Sequence, residues 1–189
     1  MDLSVAWKAI KDIPPVLNTL ISLAVGFLLA RLQDWINSLT DKRKAAEALI
    51  LPAQSVAQQL CKHLETFDLY HGNHPEELRI YFTLTESLVA ERDLEMLQGG
   101  LHRGTALGVH CFDLWKVAIE NLRLAEKRHG HLKNHSVLGG EGRGLGEAAP
   151  GYRQLVHKAI NELCLALRGA QRYASSTTKR SIKKLLEED

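Results

Sequence analysis

Residues 13–30 read IPPVLNTLISLAVGFLLA, an uncharged run of 18 residues that decides the architecture of this chain. Pro14 and Pro15 suit the first turn of a helix, because the backbone N–H that proline lacks would have no partner there. From Pro14 to Trp35 a helix would extend ~33 Å, which is enough to cross a hydrocarbon core of ~30 Å. The sequence therefore predicts a single transmembrane helix over residues 13–36.

Residues 1–12, which precede this run, are predicted to form an amphipathic helix lying in the membrane interface. One face would carry Leu3, Ala6, Trp7 and Ile10, and the other Ser4, Lys8 and Lys11. Beyond the run, Arg31 and the basic cluster at residues 42–44 form a flank more basic than the N-terminal one, which contains two aspartates. By the positive-inside tendency, we expect a single-pass protein whose main domain faces the cytoplasm.

Two other interpretations fit the composition of the run. It could be a cleaved signal peptide with Ala24-Val25-Gly26 as the cleavage site. The apolar character continues past that site to Ala30, however, and cleavage would export an odd number of cysteines. It could also be a buried helix of a soluble bundle, although an uncharged run of this length is long for that.

Small or polar side chains recur every four residues along the predicted anchor, at Asn18, Ser22, Gly26 and Ala30. At that spacing they form one stripe on the helix. Small residues let two helix backbones approach closely in lipid, and an intramembrane asparagine can hydrogen-bond its counterpart on a second helix. We therefore predict that the anchor drives homo-oligomerisation through these four residues.

The overall composition excludes several classes of protein. The 24 basic and 22 acidic residues leave a net charge of +2, which is no electrostatic footprint for nucleic acid. Cys61, Cys111 and Cys164 lie far apart, whereas a disulfide framework needs an even count and a zinc site needs close pairs. Three reduced, buried thiols are predicted, which favours a reducing compartment.

Helical periodicity dominates the rest of the chain, and no stretch alternates over a strand length. We predict an all-α fold in which the transmembrane helix is followed by an antiparallel bundle of four to five helices over residues 41–189. Helices are expected at about 42–70, 75–97, 105–128 and 150–174, with a last short helix after Thr178. Pro52 should kink the first or start a new segment, and Gly99 and Gly100 should end the second.

Residues 129–151 are predicted to form a flexible loop rich in glycine and histidine, because the segment contains GGEGRGLGEAAPG. Within it, residues 144–149 match GxGxxA, but no strand precedes them as a dinucleotide site requires. Residues 146–151 have the outer spacing of a phosphate loop, but Tyr152 and Arg153 follow where Lys and Ser/Thr belong. Neither match indicates a nucleotide site.

No catalytic residue and no cofactor are predicted. Nine histidines raise the question of a metal site, and the weak candidates are His71, His74, His129 and His131, which two turns could bring together. The sequence lacks HExxH, CxxC and the paired Glu-x-x-His of di-iron bundles. The leading hypothesis is a non-enzymatic, membrane-anchored interaction, scaffold or sensor module that self-associates and engages an unidentified protein partner. The alternatives are a pore-forming, membrane-perturbing effector and a metal-dependent enzyme that uses the loop histidines.

Overall fold

The computed structural model describes the backbone of residues 15–71, 75–137 and 142–187, and the side chains of residues 17–70, 76–137 and 144–186. This part of the chain forms six α-helices and no strand, so the predicted all-α class is confirmed. The helices are α1 (Pro15–His71), α2 (Pro75–Leu84), α3 (Glu91–Gly104), α4 (Val109–Val137), α5 (Gly142–Gln171) and α6 (Ser176–Glu187), with a 3₁₀ turn at Thr105–Leu107. The predicted interfacial segment, residues 1–12, lies outside the described residues.

The chain divides into two compact units between Thr40 and Asp41. In the first unit, every side chain from Leu17 to Thr40 is exposed, and the apolar part of α1 has no core of its own. The second unit contains the rest of α1 and all the other helices. Its hydrophobic core is built from the apolar faces of these helices.

The core of the second unit is a helical bundle. Helices α4 and α5 are antiparallel, since Tyr152 near the start of α5 contacts His129 near the end of α4, whereas Gly169 near the end of α5 approaches Cys111 near the start of α4. The largest fully buried side chains include Trp115, Tyr152, Phe67, Phe82 and Leu49. Burying one such side chain contributes about 1.5–3 kcal/mol, so these positions dominate the stability of the bundle.

The predicted second helix is interrupted, which is a correction to the sequence analysis. Helix α2 ends at Leu84 and α3 begins at Glu91, with non-helical backbone between them. Side chains from other helices replace the missing helical carbonyls as acceptors. The Leu88 N–H donates to Glu126 Oε2 at 3.1 Å, and the Ala90 N–H donates to Gln59 Oε1 at 2.8 Å. Such long-range bonds satisfy backbone groups that local sequence preferences would have placed in a helix.

The prediction of a flexible loop at residues 129–151 is wrong for the described part of that segment. Helix α4 continues to Val137, and α5 already begins at Gly142. The reason is an apolar seam that the glycine content obscured. Four side chains at helical spacing are buried along the start of α5, namely Leu145, Ala149, Tyr152 and Val156. Their burial offsets the cost of about 1 kcal/mol that each helical glycine imposes.

Gly99 and Gly100 also behave differently from prediction, and of the two alternatives predicted for Pro52 the start of a new segment is wrong. Pro52 lies inside α1 without starting a new element. Helix α3 runs through both glycines to Gly104, so they do not end it. A Cβ on Gly100 would lie 2.9 Å from Leu49 Cδ2 and 3.2 Å from the Ala48 carbonyl oxygen. Gly100 is therefore required by the close approach of α3 to α1.

Candidate functional site

The first candidate site is the exposed apolar part of α1. Its large side chains are among the most exposed hydrophobic residues of the chain, with Leu23 at 66%, Leu28 at 65% and Phe27 at 62% exposed. The helix is long and apolar enough to cross a membrane, and none of its most apolar 18-residue window is buried. Apolar surface of this extent is unfavourable in water and needs a partner, either lipid or protein.

The predicted association stripe lies on this exposed helix. The Ser22 hydroxyl donates to the Asn18 carbonyl oxygen at 2.9 Å, so its proton is satisfied within the helix. A Cβ on Gly26 would meet nothing within 4 Å. Asn18, Ser22, Gly26 and Ala30 are all exposed, so the stripe is open to a second helix.

Arg31 closes the apolar run. Its guanidinium carbon lies 5.3 Å from the centroid of the Phe27 ring, one turn earlier in the helix. This contact places the cation over an aromatic face, a favourable arrangement for a guanidinium near apolar surface. It gives the arginine a partner on its own helix at the end of the uncharged segment.

The second candidate site is a buried network of two histidines and two tyrosines in the second unit. His63 comes from α1, Tyr81 from α2, His129 from α4 and Tyr152 from α5. The Tyr152 hydroxyl lies 2.5 Å from His63 Nε2 and 3.0 Å from His129 Nδ1. The Tyr81 hydroxyl also hydrogen-bonds the His63 ring. These four side chains, hereafter the His–Tyr network, connect four helices.

With both imidazole rings neutral, the hydrogen bonds of the Tyr152 hydroxyl are satisfied. Tyr152 has one proton, so it donates to one histidine and accepts from the N–H of the other. Nε2 of His129 is buried without a hydrogen-bond partner in the described part of the chain. The backbone of Thr85 partly offsets the lowering of the His129 pKa by burial.

Burial sets the charge state of the network. Desolvation, followed by repulsion from His129, lowers the pKa of His63 from 6.5 to about 3. Burial also lowers the pKa of His129 and raises the pKa values of Tyr81 and Tyr152. All four groups are therefore uncharged near neutral pH, since each pKa moves in the direction that disfavours the charged form.

Aromatic rings enclose the network on its buried side. The Phe67 ring lies 5.3 Å from Tyr152, and the Phe82 ring lies 5.6 Å from His129, measured between centroids. On the other side, a surface groove of about 370 Å³ reaches His63 and Tyr81 between α1 and residues 85–90. Because its histidines are buried and neutral, the network forms hydrogen bonds of fixed direction between the helices. These bonds can hold the helices in register.

The structure describes the side chains of two of the four predicted metal ligands, His129 and His131, and places them in different surroundings. His129 is buried in the His–Tyr network, whereas His131 is exposed on the same helix. The His71 side chain and the whole of His74 lie outside the described residues. Among the residues that are described, no group of three or more His, Cys, Asp or Glu side chains could hold a metal ion. The cysteines form no disulfide; Cys111 is buried, while Cys61 and Cys164 are half-buried.

The His–Tyr network was not predicted from the sequence, although one signal for it was available. His63 lies three residues after Leu60 and four before Phe67, which places it on the apolar face of α1. His129 likewise follows Ala125 by four residues on α4. A histidine on an apolar face needs a buried polar partner, and the two inward tyrosines were the available candidates.

Comparison of the chain with protein-family models, with curated proteins and with solved structures finds no match in any of the three.

Proposed function

We propose that this protein is a membrane-anchored, non-enzymatic helical module that self-associates through the apolar part of α1. Its bundle would present a rigid surface to a protein partner, so that the molecule acts as a scaffold or sensor at the membrane. The anchor, the association stripe and the bundle each carry one part of this proposal.

The observation that carries the proposal is the complete exposure of side chains 17–40. A core helix of a soluble protein would be mostly buried, whereas this helix offers its whole circumference to its surroundings. Lipid would cover all sides of such a helix at once, and its backbone hydrogen bonds are already satisfied internally. A bilayer is therefore the environment that fits this helix best.

Self-association is supported by the stripe of small residues. Leucine or phenylalanine side chains surround most of the helix, and the stripe is where two backbones could approach most closely. The open space at Gly26 leaves room for a neighbouring helix. Asn18 adds a polar group that would gain a hydrogen bond from its counterpart in a dimer.

A non-enzymatic role is supported by the state of the His–Tyr network. Its two histidines are buried, at 8% exposure for His63 and 1% for His129, and the pKa of each is lowered by burial. A general base needs access to substrate and a pKa near the working pH. Groups in this state are better suited to hold four helices together than to transfer protons to a substrate.

The proposal is tested by energy transfer between labelled copies of the full-length protein in lipid vesicles. Gly26→Leu fills the stripe and should reduce association, and Ser22→Leu with Gly26→Leu should reduce it further. Ala24→Leu is the matched control, because it makes a similar change on the opposite face of α1. If the Gly26→Leu and Ala24→Leu proteins associate equally, the stripe is not the association face. Dye leakage from the same vesicles would instead support the pore-forming alternative.

A further inference from the structure

We propose that α2 is an acid-released latch: protonation of His63 and His129 detaches α2 from the bundle while the packing of α1 against α3 and of α4 against α5 persists. The proposal concerns the second unit alone and does not depend on the membrane anchor. It follows from how α2 is attached, and from what surrounds the groups that attach it.

Helix α2 depends on its docking. It has only 10 residues, and an isolated helix of that length is not stable in water. It docks through Leu78, Tyr81 and Phe82, whose side chains are buried. On its outer face Ile80 and Leu84 remain exposed. The helix therefore persists only as long as its inner face is held.

The polar part of this docking runs through the His–Tyr network. Tyr81 hydrogen-bonds His63 of α1, and the His63 and His129 ring centroids are 5.2 Å apart beneath it. With both rings neutral, phenol oxygens and unprotonated ring nitrogens supply the acceptors. Two protonated rings would bring four N–H donors against two phenol oxygens. Donors would then exceed acceptors, and two like charges would face each other in a buried site.

The charged groups around the network reinforce this effect. From α4, Lys133 adds a further positive charge near His129, and Glu126 is the acidic group near Tyr152. Lys62 of α1 is exposed at the rim of the adjoining groove. From α2 and α5 the facing groups are the phenols of Tyr81 and Tyr152. Among these groups Glu126 is the one acidic side chain.

Glu126 holds the segment that follows α2. Its carboxylate accepts the Leu88 N–H at 3.1 Å and holds the non-helical residues between α2 and α3. Burial raises the pKa of Glu126, so the closed form binds this proton more tightly than an open form would. Acidification through Glu126 alone therefore favours the closed form, and the release of α2 rests on the two histidines.

The remainder of the bundle is anchored away from the network. Leu49 lies 14 residues before His63 on α1, a separation of ~21 Å along the helix. Trp115, Leu163 and Leu167 are likewise fully buried apart from the network. These contacts are apolar and insensitive to pH, so local release of α2 can precede global unfolding.

The expected magnitude follows from the pKa of His63. A histidine with a lowered pKa stabilises the closed form above pH 6.5, and this stabilisation is lost as the pH falls towards its closed-state pKa of about 3. From about pH 7.5 to about pH 4.5, the opening equilibrium of α2 should rise about 100-fold through His63 alone.

Hydrogen exchange of the full-length protein in detergent micelles tests the latch. After correction for intrinsic exchange rates, residues 75–84 should lose protection about 100-fold over this pH range, while α4 and α5 keep theirs. Simultaneous loss of protection in all helices, or unchanged protection of α2, would overturn the proposal. This comparison uses the wild-type protein alone and so does not depend on any variant folding.

A pair of variants tests whether His63 is the group that makes α2 opening depend on pH. His63→Gln retains hydrogen-bonding groups but cannot become charged, so it should remove most of the pH dependence of α2 opening. His157→Gln changes an exposed histidine on α5 and should leave the full dependence in place. A folded His63→Gln protein whose α2 still opens about 100-fold more at low pH would contradict the assignment to His63.

Discussion

Replacing Gly100 by alanine tests the close approach of α3 to α1. The new Cβ would lie 2.9 Å from Leu49 Cδ2 and 3.2 Å from the Ala48 carbonyl oxygen. Leu49 is fully buried and its other methyl group, Cδ1, lies against Gly104, so its side chain has little room to rotate away. Overpacking of this kind costs about 1–3 kcal/mol.

The neighbouring Gly99 provides a matched control. It lies in the same helix, and a Cβ there would meet nothing within 4 Å. Gly99→Ala should therefore gain only the higher helix propensity of alanine, about 0.8–1 kcal/mol. Gly100→Ala has the same gain in helix propensity, but the cost of overpacking exceeds that gain. We expect Gly100→Ala to be less stable than Gly99→Ala by about 2 kcal/mol.

Urea unfolding in mild detergent, followed by far-UV circular dichroism, measures this difference. A Gly100→Ala protein as stable as Gly99→Ala would refute the close packing of the two helices. A further comparison sharpens the test. Leu49→Ala removes the side chain that the new methyl group meets, so adding Gly100→Ala to it should cost much less than in the wild type.

Two other changes probe the bundle by thermal unfolding. Tyr152→Phe removes the hydroxyl shared by the two buried histidines and should cost about 1–3 kcal/mol, because buried ring nitrogens lose their partner. The hydroxyl of Tyr173 makes only a 3.4 Å contact with the Leu107 carbonyl oxygen, so Tyr173→Phe should lower stability clearly less than Tyr152→Phe. Equal losses of stability would argue against the network. Ile182→Ala should cost about 2–4 kcal/mol, because Ile182 is the fully buried side chain of α6. Leu165→Ala, at an exposed position of α5, should change stability by less than about 0.5 kcal/mol. If Ile182→Ala costs as little as this control, α6 is not docked as described.

Much of the fold could be predicted because the helical spacing of apolar residues shows where the helices lie and which faces they bury. The helix predicted at about 42–70 is the second-unit part of α1, and one apolar face of it, with Leu49, Val56 and Leu60, is buried. The last helix, α6, begins close to its expected start and buries Ile182. In each case one apolar stripe at a spacing of three to four residues decides both the helix and its inward face.

The errors arose where long-range contacts overrule local composition. Glycine usually signals a helix end or a loop, yet Gly100 permits close packing, and the glycines of α5 lie on a helix whose buried seam compensates for them. The break after Leu84 depends on Glu126 and Gln59, which are distant in sequence. The His–Tyr network joins residues from four helices, so no local pattern could reveal its pairing.

Partition of the full-length protein between bilayer and water tests the membrane anchor most directly. Leu20→Glu with Leu28→Glu places two charges in the apolar run, each costing about 3 kcal/mol in a bilayer. Leu124→Glu with Leu165→Glu makes the same change at two exposed leucines of the bundle. After an alkaline wash, wild type and the bundle variant should remain with the membrane, and the anchor variant should be released. Wild-type protein that stays in the aqueous phase without detergent, with its N-terminus intact, would contradict the anchor.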